Sequence, residues 1–249
     1  MKTAVIIGAT SGIGYEVATI LLNEGWRVAV AGRRIELLER MRKRFGANVL
    51  PYQMDVTQPE SVAVVDQIMA DTAAPDLFLY VSGVGSQNRG LDEQVEINTV
   101  QTNSDGMVRI VSHLFNYVKR SKDYSAHRKA HLAVVTSVAG TDGLGLSPAY
   151  SATKKMQSTY ITALAQLAAM ENVPVSFTDI RPGFVATDIL NPNKKYPMLM
   201  NKEEVARRIV KGLRHRRRVL IIDWRYRLLV AFWRLMPRCL WERMTWVHN

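Results

Sequence analysis

Cysteine is nearly absent: Cys239 is the only one in 249 residues. No intramolecular disulfide can form, which excludes the cross-linked secreted scaffolds and makes a reducing cytoplasm the expected compartment. The first hydrophobic segment, Thr3 to Ile7, is too short for the apolar stretch of a secretory signal. No Pro/Ser/Gly linker, low-complexity tract or internal repeat breaks the chain. With 47% hydrophobic and 22% charged residues, it is expected to close one large core. Metal-ligand spacing is missing too. Of His113, His127, His131, His215 and His248, only His127 and His131 stand four apart, and no carboxylate or cysteine accompanies them at ligand spacing. The histidines are expected at the surface or in packing, and no metal is expected. Acidic charge is scarce at one end: residues 201–249 hold 13 Lys/Arg against 4 Asp/Glu, a net +9 of the total +11. Four of the five tryptophans lie there as well.

What is present is an alternation. Short β-branched runs (Thr3–Ile7, Arg27–Ala31, Val49–Met54, Leu77–Val81, Leu132–Ser137, Val175–Ile180, Arg218–Ile222) are separated by amphipathic stretches such as Ile13–Asn23, Arg34–Phe45, Pro59–Asp71 and Tyr150–Glu171. Strands apolar throughout, each followed by a helix, predict a parallel sheet covered on both faces. The expected fold class is α/β, a doubly wound Rossmann-like sheet, as a single domain over residues 1–222 with a basic extension over 223–249. Ligands in such folds lie beyond the carboxyl ends of the strands.

After the first run comes Gly8-Ala9-Thr10-Ser11-Gly12-Ile13-Gly14, opening a helix. Gly8 permits a tight turn, Gly12 lets backbone approach a pyrophosphate, and Gly14 lets helix and strand pack closely. The N–H groups of the helix start, with Thr10, Ser11 and Ile13 around them, would face the phosphates. The second run ends at Gly32-Arg33-Arg34. A carboxylate there would hold a ribose 2′-hydroxyl. Two arginines can instead clamp a 2′-phosphate, so NADP(H) is favoured over NAD(H). A solvated helix start also accounts for Arg34. Asp55-Val56 follows the third run, where a carboxylate can accept from an adenine amino group or cap a helix or turn.

Tyr150 and Lys154 stand four apart at the start of a helical pattern and share one face. An ammonium beside a phenol lowers the phenol's pKa and suits it to proton transfer. Ser137, thirteen residues upstream at a strand end, can donate to a substrate oxygen, or can be an ordinary turn serine.

Together these residues resemble the short-chain dehydrogenase/reductase family, over roughly Lys2 to Asp188. The glycine loop matches at Gly8, Gly12 and Gly14, the Tyr-x-x-x-Lys motif at Tyr150 and Lys154, and the preceding serine at Ser137. The adenine-side pair looks like Asp55-Val56. The turn after the sixth strand looks like Pro182-Gly183, followed by Val185 and Thr187, which in such proteins contact the nicotinamide carboxamide. The resemblance implies a nicotinamide-dependent oxidoreductase interconverting a carbonyl and an alcohol. Tyr150 would be the general acid, Lys154 would lower its pKa and bind ribose hydroxyls, and Ser137 would polarise the carbonyl. Asn103, in Asn-x-x-Gly, matches the asparagine that supports a proton relay to the lysine, in preference to Asn98. The family's Asn-Asn-Ala-Gly is replaced by Ser82-Gly83-Val84-Gly85, of which only Gly85 matches; its backbone would pass the adenosine. Lys119 to His131 looks like an inserted polar loop. Relatives commonly form homodimers or homotetramers through their long helices, which is carried over as an expectation. A non-catalytic dinucleotide-binding sensor or scaffold is the alternative, which loss of Ser, Tyr or Lys would have favoured.

The segment 191–200 would cover the substrate, and Pro192, Pro197, Met198, Leu199 and Met200 suggest an apolar wall and an apolar, lipid-like carbonyl or alcohol substrate. From Trp224 onward, arginines interleave with Leu, Val, Phe and Trp. These apolar runs are too short and too often broken to span a bilayer. A basic, Trp-rich amphipathic helix suits either a membrane surface, placing the protein peripherally at the inner membrane face, or packing on the domain or a second subunit. Nothing else resembles a nucleic-acid module, so no nucleic-acid partner is expected.

Overall fold

The computed structural model describes residues 1–191 and 193–244; the expectations placed on Pro192, Trp246 and His248 lie outside them. Seven strands form one sheet: β1 (Thr3–Ile7), β2 (Arg27–Gly32), β3 (Val49–Gln53), β4 (Leu77–Tyr80), β5 (Ala130–Val135), β6 (Val175–Arg181) and β7 (Val219–Ile221). Their order is β3-β2-β1-β4-β5-β6-β7, and every pairing is parallel. The expected runs coincide with these strands to within two residues at either end.

The sheet is buried on both faces, and β1 shows why its sequence is apolar throughout. Ala4 and Ile6 enter the core on one face, while Val5 and Ile7 enter the core on the other. On the first face lie α1 (Gly12–Asn23), α2 (Ile35–Phe45), α7 (Lys202–Arg214) and α8 (Trp224–Leu235). On the second lie α3 (Ser61–Thr72), α5 (Gly106–Arg120) and α6 (Pro148–Met170). Two more helices, α4 (Glu93–Val100) and α9 (Arg238–Trp241), lie at the margins. Local signals set the helix ends. Pro148 occupies the first turn of α6, where its missing N–H costs nothing. Asn201 accepts from Glu203 N at the start of α7, with Glu203 and Glu204 in its first turn and Lys211 and Arg214 in its last.

Chain connections reverse direction between β1 and β4, so the crevice at the carboxyl ends of these two strands is the topological switch point. The insertion expected at Lys119–His131 is tied down more than a solvated loop would be. Lys119 and Arg120 belong to α5, and Ala130 and His131 to β5. Between them, buried Tyr124 donates its hydroxyl to Pro75 O at 3.0 Å. The C-terminal extension is partly core: Tyr226 and Val230 of α8 are buried among side chains of β6, β7 and α7.

Candidate active site

One large cleft opens at the switch point, and residues from six strand ends, β1 to β6, line it. At its phosphate end, Gly8 (φ +95°) and Gly12 (φ +57°) hold left-handed backbone that favours glycine. A Cβ on Gly14 would stand 2.2 Å from Gly8 O, so this glycine seats α1 on the loop and is not itself part of the lining. Thr10, Ser11, Gly12 and Ile13 do line the cleft. No side chain caps α1, and its first turn carries no acid. An uncapped helix start beside a glycine cradle is a fit for a dinucleotide pyrophosphate.

Arg33 and Arg34 also line the cleft, and both are exposed. Arg34 Nη2 donates to Ser11 Oγ at 2.9 Å and Thr10 Oγ1 at 3.1 Å, which brings its guanidinium onto the phosphate loop. Asp55 and Val56 line the far end. Asp55 Oδ1 accepts from Thr57 N at 3.0 Å and Thr57 Oγ1 at 2.8 Å, a local turn. Pro182, Gly183, Val185 and Thr187 line the opposite wall, and the Thr187 methyl faces Gly12.

Ser137, Tyr150 and Lys154 meet in the middle of the cleft. Ser137 is a turn serine as well: its Oγ accepts from Ala139 N at 3.1 Å and donates to Pro182 O at 3.4 Å. Burial raises the Tyr150 phenol above its ordinary value, and the hydrogen bond with Ser137 pulls it back down. The lysine ammonium lies 5.8 Å from the Tyr150 ring centroid. It donates to Val135 O and to Gln157 Oε1, each at 3.1 Å. Burial lowers Lys154 to about 8, and the carboxylate of Asp179 opposes that.

A model of the short chain dehydrogenase family matches residues 2–197. The chain belongs to the short-chain dehydrogenase/reductase family. It is similar to an uncharacterized oxidoreductase of Myxococcus xanthus, 27% identical over 248 residues, covering 97% of this chain and 95% of that one. Its structure is similar to ElxO with NADP bound, at a TM-score of 0.78 and 20% identity over 91% of this chain and 99% of that one. It is also similar to a short-chain dehydrogenase/reductase of Burkholderia phymatum in complex with NAD, at a TM-score of 0.78 and 19% identity over 92% of both chains. As a member of the family the protein is an NAD(P)-dependent oxidoreductase.

In this short-chain dehydrogenase/reductase, Asn103 sits in a π-helical turn, Gln101–Asp105, between α4 and α5. It lies behind the cleft and not in its lining. Its Oδ1 accepts from Val84 N at 2.8 Å, and its Nδ2 donates to Val84 O at 2.8 Å and Thr153 Oγ1 at 3.1 Å. The Asn103 carbonyl accepts from Gln157 Nε2 at 2.7 Å. A buried side-chain amide therefore links that carbonyl to Lys154. The sequence argument missed Gln157, although it stands three residues beyond Lys154 on the same helical face.

Gly85 lines the cleft as well, and a Cβ there would stand 2.6 Å from Tyr150 Cδ2, so this glycine also lets the tyrosine ring pack close. Gly83, which was not singled out, passes equally close to Asn103 Oδ1 and Lys154 Nζ, at 3.2 and 3.3 Å from its notional Cβ. The apolar wall is rearranged too. Pro197 and Met198 line the cleft, joined by Tyr196 and Phe184. Met200 is turned into the core by its bridge to Val185, and half-exposed Leu199 is not part of the cleft lining. Leu229 and Trp233 of α8 complete the wall. Among the described residues no group of three His, Cys, Asp or Glu side chains could hold a metal ion.

Proposed function

We propose that the protein interconverts an apolar ketone or aldehyde and its alcohol, with NADP(H) in preference to NAD(H) and with Tyr150 as general acid and base. The observation that carries this reading is the meeting of Ser137, Tyr150 and Lys154 in one cleft, between a cradle fit for pyrophosphate and a wall of Phe184, Met198, Leu229 and Trp233. A bound nicotinamide dinucleotide supplies the hydride to the carbonyl carbon. Ser137 Oγ–H, turned from Pro182 O at 3.4 Å, would donate to the carbonyl oxygen and position it beside the phenol. The phenol is held above its ordinary pKa, so it is protonated at neutral pH and gives its proton to the developing alkoxide. Lys154 is mostly charged at pH 7, since its pKa is about 8; it would hold the ribose hydroxyls. Gln157 and Asn103 fix the lysine's position.

The preference for NADP(H) follows from charge. No carboxylate stands at the end of β2, while Arg33 and Arg34 face the cleft there. Self-association as a homodimer or homotetramer is part of the same reading, with exposed Leu167 and Met170 of α6 as its apolar contacts. Light scattering of Met170→Glu, expected to lower the mass, tests it.

The central experiment follows NADPH and NADH consumption with carbonyls of graded chain length. Turnover should favour NADPH and longer chains. Tyr150→Phe should lose about 100- to 10,000-fold in turnover while keeping its NADPH affinity. Equal turnover by Tyr150→Phe would remove the tyrosine from the chemistry.

A further inference from the structure

The helix α8 has two apolar faces, and only one of them is accounted for by the fold. The inner face carries Tyr226 and Val230 into the core, and Leu229 and Trp233 to the cleft. The outer face carries Trp224, Leu228, Phe232 and Leu235, which are 65, 62, 60 and 83% exposed. Their spacing places them in one stripe along the helix, directed away from the protein. Half-exposed Leu240 of α9 extends the apolar surface. Solitary exposed leucines are ordinary, but a contiguous stripe of large side chains on an outermost helix marks a contact surface.

Charge identifies what it contacts. Residues 224–244 hold five arginines (225, 227, 234, 238 and 243) and a single acid, Glu242. Glu242 is taken by Arg238 at 3.1 Å, and Arg225 is held by Asp223 at 3.0 Å. Among the described residues Arg227 and Arg234, which flank the stripe, make no ion pair. A second copy of this chain laid on the stripe would set arginine against arginine with no carboxylate to offset them. An anionic phospholipid surface offers the opposite: hydrocarbon for the stripe and phosphates for the arginines. Spanning the bilayer is not an option, because among the described residues no helix is long and apolar enough.

The helix also borders the active site. Trp233 packs edge-on against Trp241 with ring centroids 5.2 Å apart. Trp241 Nε1 donates to Gly143 O at 2.7 Å, in the loop between Ser137 and Tyr150. The C-terminal segment therefore ties the stripe to the mouth of the cleft.

We infer that the outer face of α8 rests on an anionic lipid surface and holds the cleft mouth there, so that a carbonyl or alcohol on a long apolar chain enters from the bilayer. The substrate half of this inference rests on the reading of the cleft given above; the surface half does not. Flotation of the full chain with phosphatidylcholine vesicles, with and without phosphatidylglycerol, tests the surface half without any substrate. The expected result is about tenfold or more protein on the anionic vesicles than on neutral ones. The double substitution Leu228→Glu/Phe232→Glu, outside the cleft lining, should abolish flotation while leaving the melting temperature and NADPH affinity unchanged. Equal flotation of both forms, or none by the native chain, overturns the inference. So does a loss of mass in light scattering of the double variant without any vesicle binding, which would assign the stripe to a second copy. Turnover of long-chain against short-chain carbonyls, with and without vesicles, then tests the substrate half. Vesicle binding without long-chain turnover would sink the functional reading and leave the docking surface standing.

Discussion

Burial moves Tyr150 and Lys154 in opposite numerical directions but with one effect: each is pushed toward its neutral form. The phenol is thereby kept protonated at neutral pH, as a weaker acid than it would be in water. The ammonium, lowered from 10.5 to about 8, is charged at pH 7 and loses its proton as pH rises through about 8. NADPH affinity, followed by fluorescence from pH 7 upward, should therefore weaken above about 8 in the native protein and stay flat in Lys154→Met. Stability should move the other way. Between about 8 and 10.5 the unfolded chain binds more protons at this lysine than the folded one does, so Lys154 contributes a stability gain as pH rises through that window. A second residue prediction concerns Arg33. Arg33→Ala should cost about tenfold in NADPH affinity, and little in NADH affinity, in titrations of both cofactors. The meeting of Ser137, Tyr150 and Lys154 in one cleft was legible in the sequence because they stand at short spacing around a strand end and a helix start. Gln157 and Gly83 were not, because an amide in mid-helix and a glycine in a loop acquire meaning only from what packs on them.

At the scale of elements, the Tyr226 ring is a principal anchor of α8 on the domain. The Tyr226 hydroxyl accepts from Phe184 N at 3.0 Å and faces the carbonyls of Pro197 and Met198 at 3.1 and 3.3 Å. Its ring lies so close to Gly183 that a Cβ there would stand 2.0 Å from Tyr226 Cζ. The family turn Pro182-Gly183 thus also serves as the seat of the C-terminal helix. Gly183→Ala should destabilise by about 1–3 kcal/mol through overpacking, seen as a lowered denaturant midpoint. Tyr226→Phe keeps the ring but leaves Phe184 N without this acceptor. It should cost on the order of 1–3 kcal/mol and loosen the segment 196–198 that walls the cleft. The surface pairs joining α1 to α7, Lys202–Glu16 and Arg214–Glu24, are partly solvated and should add little.

Across the whole molecule, the acid limb of stability is set in part by His131. It lies inside β5, and its Nε2 meets Thr178 Oγ1 at 2.8 Å. The single hydrogen of that threonine hydroxyl is given to Arg217 O at 2.6 Å, so Nε2 must donate, which fixes where one ring proton sits. Burial, aided by Arg216, lowers His131 from 6.5 to about 4. The unfolded chain therefore binds the extra proton first on acidification. Stability should fall as pH drops from 6.5 toward about 4, by on the order of 3 kcal/mol at full extent. Thermal melting of His131→Gln should show a shallower acid slope than the native protein.

The sequence by itself determined the strands, their helices and the order of the catalytic motif. Periodicity and short-range spacing report on backbone conformation and on residues sharing one face. Only the tertiary structure decided that Asn103 reaches Lys154 through Gln157, that Gly85 meets the tyrosine ring, and that one face of α8 joins both the core and the cleft wall. Those contacts join residues dozens of positions apart in the chain, and nothing local in either partner encodes the other. Which face of α8 remains outside was likewise settled by the fit of Tyr226 against Gly183, a consequence of packing that helical period alone leaves open.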